Sequence, residues 1–183
     1  MNTNRLSKKI ATALNEQMTR EAHASQIFLS YAAWADSHAF GGIANFLFRH
    51  AEEERNHMMK LLEYILKRGA EVKIAAIPAP PALPASINNC FEKIFAHEVE
   101  NTKFIHGLVN MSFTEKDWST WNFLQWFVKE QIEEETLAMN LLNKMKIAGG
   151  EKAHSTTLYS FDRDLEKTSD EVRSAQDVTA ANP

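Results

Sequence analysis

The sequence predicts an all-α protein: a four-helix bundle of two antiparallel hairpins joined by one long crossover, with a short fifth helix near the C-terminus. Three observations carry this. The first is the shortage and placement of helix breakers: six glycines and five prolines occur in 183 residues, and Pro78, Pro80, Pro81 and Pro84 stand together, the fifth being Pro183. Residues 1–77 and 85–182 therefore lack the residue that helices exclude most strongly. The second is periodicity, since four long stretches carry apolar residues at alternating spacings of four and three, the stripe that a helix turns to a bundle core. The third is the length of the connections, two short and one long.

The elements follow in order. The first helix spans about 7–37 and the second about 42–68, with Gly41-Gly42 between them. Lys67 and Arg68 suit the negative end of the second helix, and Gly69 suits the left-handed cap behind it. AEVKIAAIPAPPALPAS is then a semi-rigid extended segment. Ser86 is the expected N-cap of a third helix over about 87–113. Thr114, with Asp117 three residues on, is expected to open a fourth over about 115–148, ended at Gly149-Gly150. A short helix is expected near 156–167. The remainder, 168–183, has too little apolar surface to pack and is expected to fray, which leaves 1–167 as the folded domain. Each short connection makes an antiparallel hairpin. The linker over about 70–86 reaches roughly 56 Å when extended, and a helix of this size is about 42 Å long. It can run the length of the bundle, which gives the crossover topology.

Several classes fall away. A single cysteine, Cys90, excludes an intrachain disulfide framework and a cysteine-built zinc site, and a buried lone thiol suits a reducing cytoplasm. No run of about 18 apolar residues exists to span a membrane, and MNTNRLSKKIATALNEQ turns polar too early for a signal peptide. A net charge of −4 leaves no electrostatic footprint for nucleic acid.

The stripes locate the chemistry. They read Leu14, Met18, Glu21, Ser25, Phe28, Ala32, Ala35; then Ile43, Leu47, His50, Glu54, His57, Leu61, Tyr64; then Ile87, Phe91, Ile94, Glu98, Thr102, Ile105, Val109; and finally Leu124, Phe127, Gln131, Glu134, Ala138, Leu141, Met145. Each is apolar at its ends and polar within about a turn of its midpoint. Midpoints stay level whichever way a helix runs, so Glu21, Glu54, His57, Glu98, Gln131 and Glu134 are expected to meet at one height. Carboxylates gathered there without counter-charge would each cost several kcal/mol of desolvation, about the penalty known for buried ions. A multivalent cation relieves that cost. Glu54-x-x-His57 puts a carboxylate and an imidazole on one face, and bridging glutamates could hold a second ion, the di-metal arrangement of inward-facing helices. Oxygen-rich ligands with few imidazoles favour iron or manganese over structural zinc. His50, His97, His106 and His38 read as hydrogen-bonded core histidines, and Phe123, Trp126, Phe127, Met18, Met58 and Met145 as core packing.

LNEQMTREAHAS around Glu21, FLFRHAEEERNHM around Glu54 and His57, AHEVE around Glu98 and NFLQWFVKEQIEEE around Gln131 resemble the bacterial non-heme ferritins, over about residues 6–165 and including the crossover. The resemblance implies a ferritin-like bundle that is one subunit of a cytoplasmic homo-oligomeric shell of twenty-four chains, with ferroxidase activity toward Fe(II), using O₂ or H₂O₂, and storage of ferric mineral. It implies that Glu21, Glu54 and His57 bind a first iron, that Glu54 bridges to a second held by Glu98, and that Gln131 lies beside the pair. It further implies a third iron site of Glu53, Glu130, Glu133 and Glu134. Heme is not expected: the heme-bearing relatives carry a methionine between the helix-two glutamate and histidine, where this chain has Arg55 and Asn56, and a second E-x-x-H where it has Gln131 and Glu134. A one-cysteine chain cannot build the iron domain of rubrerythrin-like peroxidases. One departure stands out, Phe28 at the position where ferritins usually carry a tyrosine. The alternatives are a di-iron oxygenase or peroxidase with an organic substrate, marked by an apolar pocket beside the metals, and a non-catalytic helical interaction module.

Overall fold

The computed structural model describes residues 3–166. The four long helices are α1 (Lys8–Ser37), α2 (Gly41–Lys67), α3 (Ile87–Thr114) and α4 (Trp118–Ile147). A single 3₁₀ turn (Gly150–Lys152) leads into α5, residues 155–166. The expected frayed segment 168–183 lies outside the described residues.

Local chemistry sets most boundaries. Ser7 caps α1 by accepting from the Ile10 N–H at 3.1 Å, and Ser86 caps α3 by accepting from the Asn89 N–H at 3.0 Å, as its sequence position predicts. Gly69 takes φ +72 behind α2, where a backbone Cβ would also run into the Thr3 carbonyl, so both conformation and space require glycine. The start of α4 differs from expectation. Thr114 is the last residue of α3, its hydroxyl turned back to the Asn110 carbonyl. Lys116 takes a left-handed φ of 57, which breaks the helix, and Asp117 is the cap: its carboxylate accepts from both the N–H and the hydroxyl of Thr120. A capping pair three residues apart was legible there, but the outer member is not the cap.

α1 packs along α2, α3 along α4, and α1 against α3. The crossover between α2 and α3 is pinned along α1 rather than left free. The Asn15 side chain donates to the Glu71 carbonyl and accepts from the Lys73 N–H, while Lys93 Nζ donates to the Ala82 carbonyl. That route places Ala70 at one end of the bundle and Ile87 at the other, the crossover topology expected from linker length.

The core is divided in two. One apolar cluster joins Phe28, Tyr31, Ile43, Leu47, Cys90, Phe91, Leu141 and Met145, and a second joins Ile10, Leu14, Met18, Leu61, Ile65, Ile105, Leu124 and Phe127. α5 closes the first: Leu158, Phe161 and Leu165 pack on it, and Phe161 meets Phe91 edge to face. Between the clusters lies a buried polar layer.

Candidate metal centre

All six mid-stripe residues are buried in that layer: Glu21, Glu54, His57, Glu98, Gln131 and Glu134, one or two from each long helix. Glu21 is held in place. Gln17, one turn earlier on α1, donates its amide to Glu21 Oε1 at 2.7 Å and to Asn101 Oδ1 of α3 at 2.7 Å, and the Asn101 amide reaches Glu21 Oε2 at 3.5 Å. Glu54 and Glu98 are the opposite case. Glu54 Oε2 and both carboxylate oxygens of Glu98 are fully buried with no hydrogen-bond partner. Orphaned buried oxygens of this kind are rare in folded proteins and point to a group that the site is shaped to receive.

Three sets of ligand-type atoms converge within 4.8 Å. They are Glu21, Glu54 and His57; Glu53, His57 and Glu130; and His50, Glu53 and Glu134. The first matches the expected first-iron set, with His57 Nδ1 3.4 Å from Glu54 Oε2. The second and third bring together three of the four glutamates expected at the inner site. Glu133 is in neither; it is exposed, and its carboxylate pairs with Lys129 at 3.3 Å. Glu98 also stands outside the convergent sets, although its charge is felt at Glu54; Gln131 meets α3 through the Thr102 hydroxyl, 3.0 Å from its Oε1.

Electrostatics express the crowding. Burial, then the Glu21 and Glu98 charges, hold the Glu54 carboxyl well above the usual carboxylate range. Burial, then Glu134 and Glu21, do the same to Glu98. Burial, then Glu53, Glu130 and Glu133, push Glu134 up to about 8. Holding protons lowers the desolvation cost of such carboxyls, and a multivalent cation would displace those protons.

The histidines divide. His50 makes the hydrogen bond expected of a core histidine, through Nδ1 to the Phe46 carbonyl at 3.0 Å, yet its Nε2 faces Glu134 at 3.8 Å and Glu53 at 4.0 Å. The spacing of one turn before Glu54 was the signal for this. His97 is largely enclosed, and burial lowers its pKa to about 4. His38 and His106 are exposed, contrary to the core reading; His38 sits beyond the end of α1, its ring tilted against Trp34 at 5.0 Å. Trp126 also departs from the core-packing expectation. It is 37% exposed, its ring edge-on to His57 at 5.4 Å and covered by Lys60 Nζ at 4.0 Å. The Gln17–Glu21–Asn101 network has no signal in the sequence, because neither amide lies on a stripe.

A bundle whose layered core gathers buried carboxylates and imidazoles able to hold metal ions defines the class. The chain belongs to the ferritin family: the model of the ferritin-like domain matches residues 11–148. It is 39% identical over 158 residues to the bacterial non-heme ferritin of Campylobacter jejuni, covering 86% of this chain and 93% of that one. It is 40% identical over 160 residues to a probable bacterial non-heme ferritin-like protein of Haemophilus influenzae, covering 87% and 95%. Among solved structures, an open-pore ferritin from Archaeoglobus fulgidus superposes with a TM-score of 0.84 at 38% identity, covering 88% of this chain and 98% of that one.

Proposed function

We propose that this chain is an iron-storage subunit with ferroxidase activity, one of twenty-four forming a hollow cytoplasmic shell in which ferric mineral accumulates. The observation that carries the reading is the orphaned carboxylate oxygens of Glu54 and Glu98 inside a layer to which all four helices contribute. Two Fe(II) ions are the substrate. Glu21, Glu54 and His57 take the first, and Glu54 and Glu98 take the second beside Gln131. Each Fe(II) gives up one electron, and O₂ takes both together with two protons to leave H₂O₂; where H₂O₂ is the oxidant, the same two electrons reduce it to water. The chain's part is to supply anionic oxygens, which stabilise Fe(III) over Fe(II) because attraction grows with cation charge. Glu53, Glu130, Glu134 and the more exposed Glu133 form the third site through which product leaves toward the cavity.

The runner-up, an oxygenase with an organic substrate, requires an apolar pocket opening on the metals. A cleft of about 360 Å³ between α3 and α4 does reach Gln131, but its lining includes none of Glu21, Glu54, His57 or Glu98. Size-exclusion chromatography with an iron assay tests the storage reading: a particle of several hundred kilodaltons containing iron supports it, and a small iron-free oligomer overturns it. In the same particle, Glu54→Ala with His57→Ala is expected to abolish rapid Fe(II) oxidation with helix content unchanged by circular dichroism. Unchanged oxidation would refute the site.

A further inference from the structure

Gln131 is the one of the six mid-stripe residues without a titratable group, and its surroundings restrict what it can do. Thr102, on α3 one turn after Glu98, places its hydroxyl oxygen 3.0 Å from Gln131 Oε1, 3.0 Å from the main-chain carbonyl of Glu98, and in hydrogen-bond contact with the Glu135 carboxylate. A hydroxyl has one proton and two lone pairs. Three acceptor oxygens cannot all be served by one proton. Glu98 has buried carboxylate oxygens with no hydrogen-bond partner, and the Gln131 amide works against the burial that raises its carboxyl.

An amide's two ends are nearly the same size but opposite in polarity. With a bare carboxylate nearby, the NH₂ end belongs toward Glu98 and the oxygen toward the Thr102 hydroxyl, where the structure has it at 3.0 Å. With a cation held by Glu98, the same NH₂ end would oppose positive charge, and the oxygen would be the ligand. A half-turn of the amide satisfies that state only if the group behind it can change from donor to acceptor. Thr102 can, by turning its proton to Glu135, the closest of its three acceptors. Glu135 itself is half-buried and lines the α3–α4 cleft with Thr102 and Gln131.

We infer that Thr102 and Glu135 are positioning residues for the second metal ion: the hydroxyl and carboxylate together let the Gln131 amide turn over, so that it offers nitrogen to an empty Glu98 and oxygen to a loaded one. The inference rests on the di-metal reading above and deepens it. It explains why a threonine, rather than an aliphatic residue, follows Glu98 by one turn on the core stripe, and gives Glu135, which is on no stripe, a defined task.

The test is titration of the assembled protein with Co(II), which does not oxidise under these conditions, followed by its visible absorption. Glu98→Gln identifies the second-ion step as the one it removes. Thr102→Val, equal in shape, is expected to leave the first ion's affinity within about twofold and to weaken the second by about tenfold or more, the range for losing a partner that orients a ligand. Glu135→Leu, which removes the acceptor, is expected to weaken the same step, Glu135→Gln, which keeps an acceptor oxygen, to weaken it less, and Thr102→Ser to restore it to within about threefold of wild type. Retained first-ion binding shows that each variant is folded. Second-ion affinity unchanged in both Thr102→Val and Glu135→Leu would overturn the inference, as would a Thr102→Ser loss equal to that of Thr102→Val. Failure of the underlying reading looks different: the wild-type chain would bind no pair of ions, and Glu98→Gln would remove no step.

Discussion

At the scale of single residues, Phe28 is the position where this chain parts from the pattern it otherwise resembles. Its ring is enclosed in the apolar cluster beside the metal layer, 5.6 Å from the His50 ring and edge-on to His97 at 6.2 Å. A phenyl group neither donates a hydrogen bond nor loses an electron readily, so in the proposed ferroxidase reaction any electron beyond the two from iron would have to come from elsewhere. Trp126 is the oxidisable ring in contact with His57. Phe28→Tyr is therefore expected to change the stopped-flow course of Fe(II) oxidation or to add a tyrosyl signal in electron paramagnetic resonance, and Trp126→Phe to remove any tryptophan radical that the wild type shows. Traces and spectra identical to wild type in both variants would mean that neither ring takes part. Adding the phenol hydroxyl to so tight a site is also expected to cost about 1 kcal/mol of stability unless it finds a partner, the usual size of an overpacked or unsatisfied polar group.

At the scale of elements, α5 does a job that local sequence did not announce. The N-terminus of α2 has no side-chain cap of its own at Phe40; Asp162 of α5 accepts from the Ile43 N–H at 2.8 Å instead. Gly42 makes the approach possible, since a Cβ there would lie 2.0 Å from the Asp162 carbonyl oxygen. Asp162→Ala should cost about 1 kcal/mol, the common value of a lost cap. Gly42→Ala should detach α5 altogether, read as faster tryptic cleavage at the exposed Arg163 while the four-helix core keeps its helix content. Equal cleavage rates in wild type and Gly42→Ala would show that α5 is held by its apolar contacts alone. This contrast also explains what could be read in advance. The four stripes, the proline-rich crossover and the Ser86 and Gly69 caps were legible because each depends on residues a turn or two apart. The mid-stripe carboxylates were legible because helix midpoints align whichever way the chain runs. Asp162 caps a helix 119 residues away, Asp117 rather than Thr114 caps α4 because the chain turns at Lys116, and Trp126 faces out where its stripe neighbour Phe127 faces in. Those depend on how elements meet, which spacing along one helix does not encode.

At the scale of the whole molecule, the bundle is a stability compromise between two well-packed ends and an expensive middle. Glu54, Glu98 and Glu134 all have folded-state pKa values above their ordinary one, Glu134 at about 8, with burial the leading cause in each. A carboxyl raised in this way is protonated in the folded chain and ionised in the unfolded one, so its contribution is complete below the ordinary value near 4.5 and is lost as pH rises through the folded value. The enclosed histidines act in the opposite sense. Burial lowers both His50 and His97, the latter to about 4, so they withdraw stability only as pH falls below their ordinary 6.5. Between pH 6.5 and 8 His50 and His97 are neutral in the folded chain and shed only their remaining protons in the unfolded one, a small effect beside the carboxyls. Each one still protonated in the folded state makes stability fall by about 1.4 kcal/mol per pH unit. Metal-free protein should therefore lose several degrees of Tm on going from pH 6.5 to 8, at about 2–4 °C per kcal/mol for a chain of this size. Loading with a divalent cation should flatten or reverse the trend, because ions displace the same protons and bind more tightly as pH rises. Calorimetry of the metal-free and Co(II)-loaded protein across that interval measures both slopes. A metal-free Tm that is flat or rising with pH would show that the layer is ionised without metal, and that its carboxylates do not need a cation to be buried.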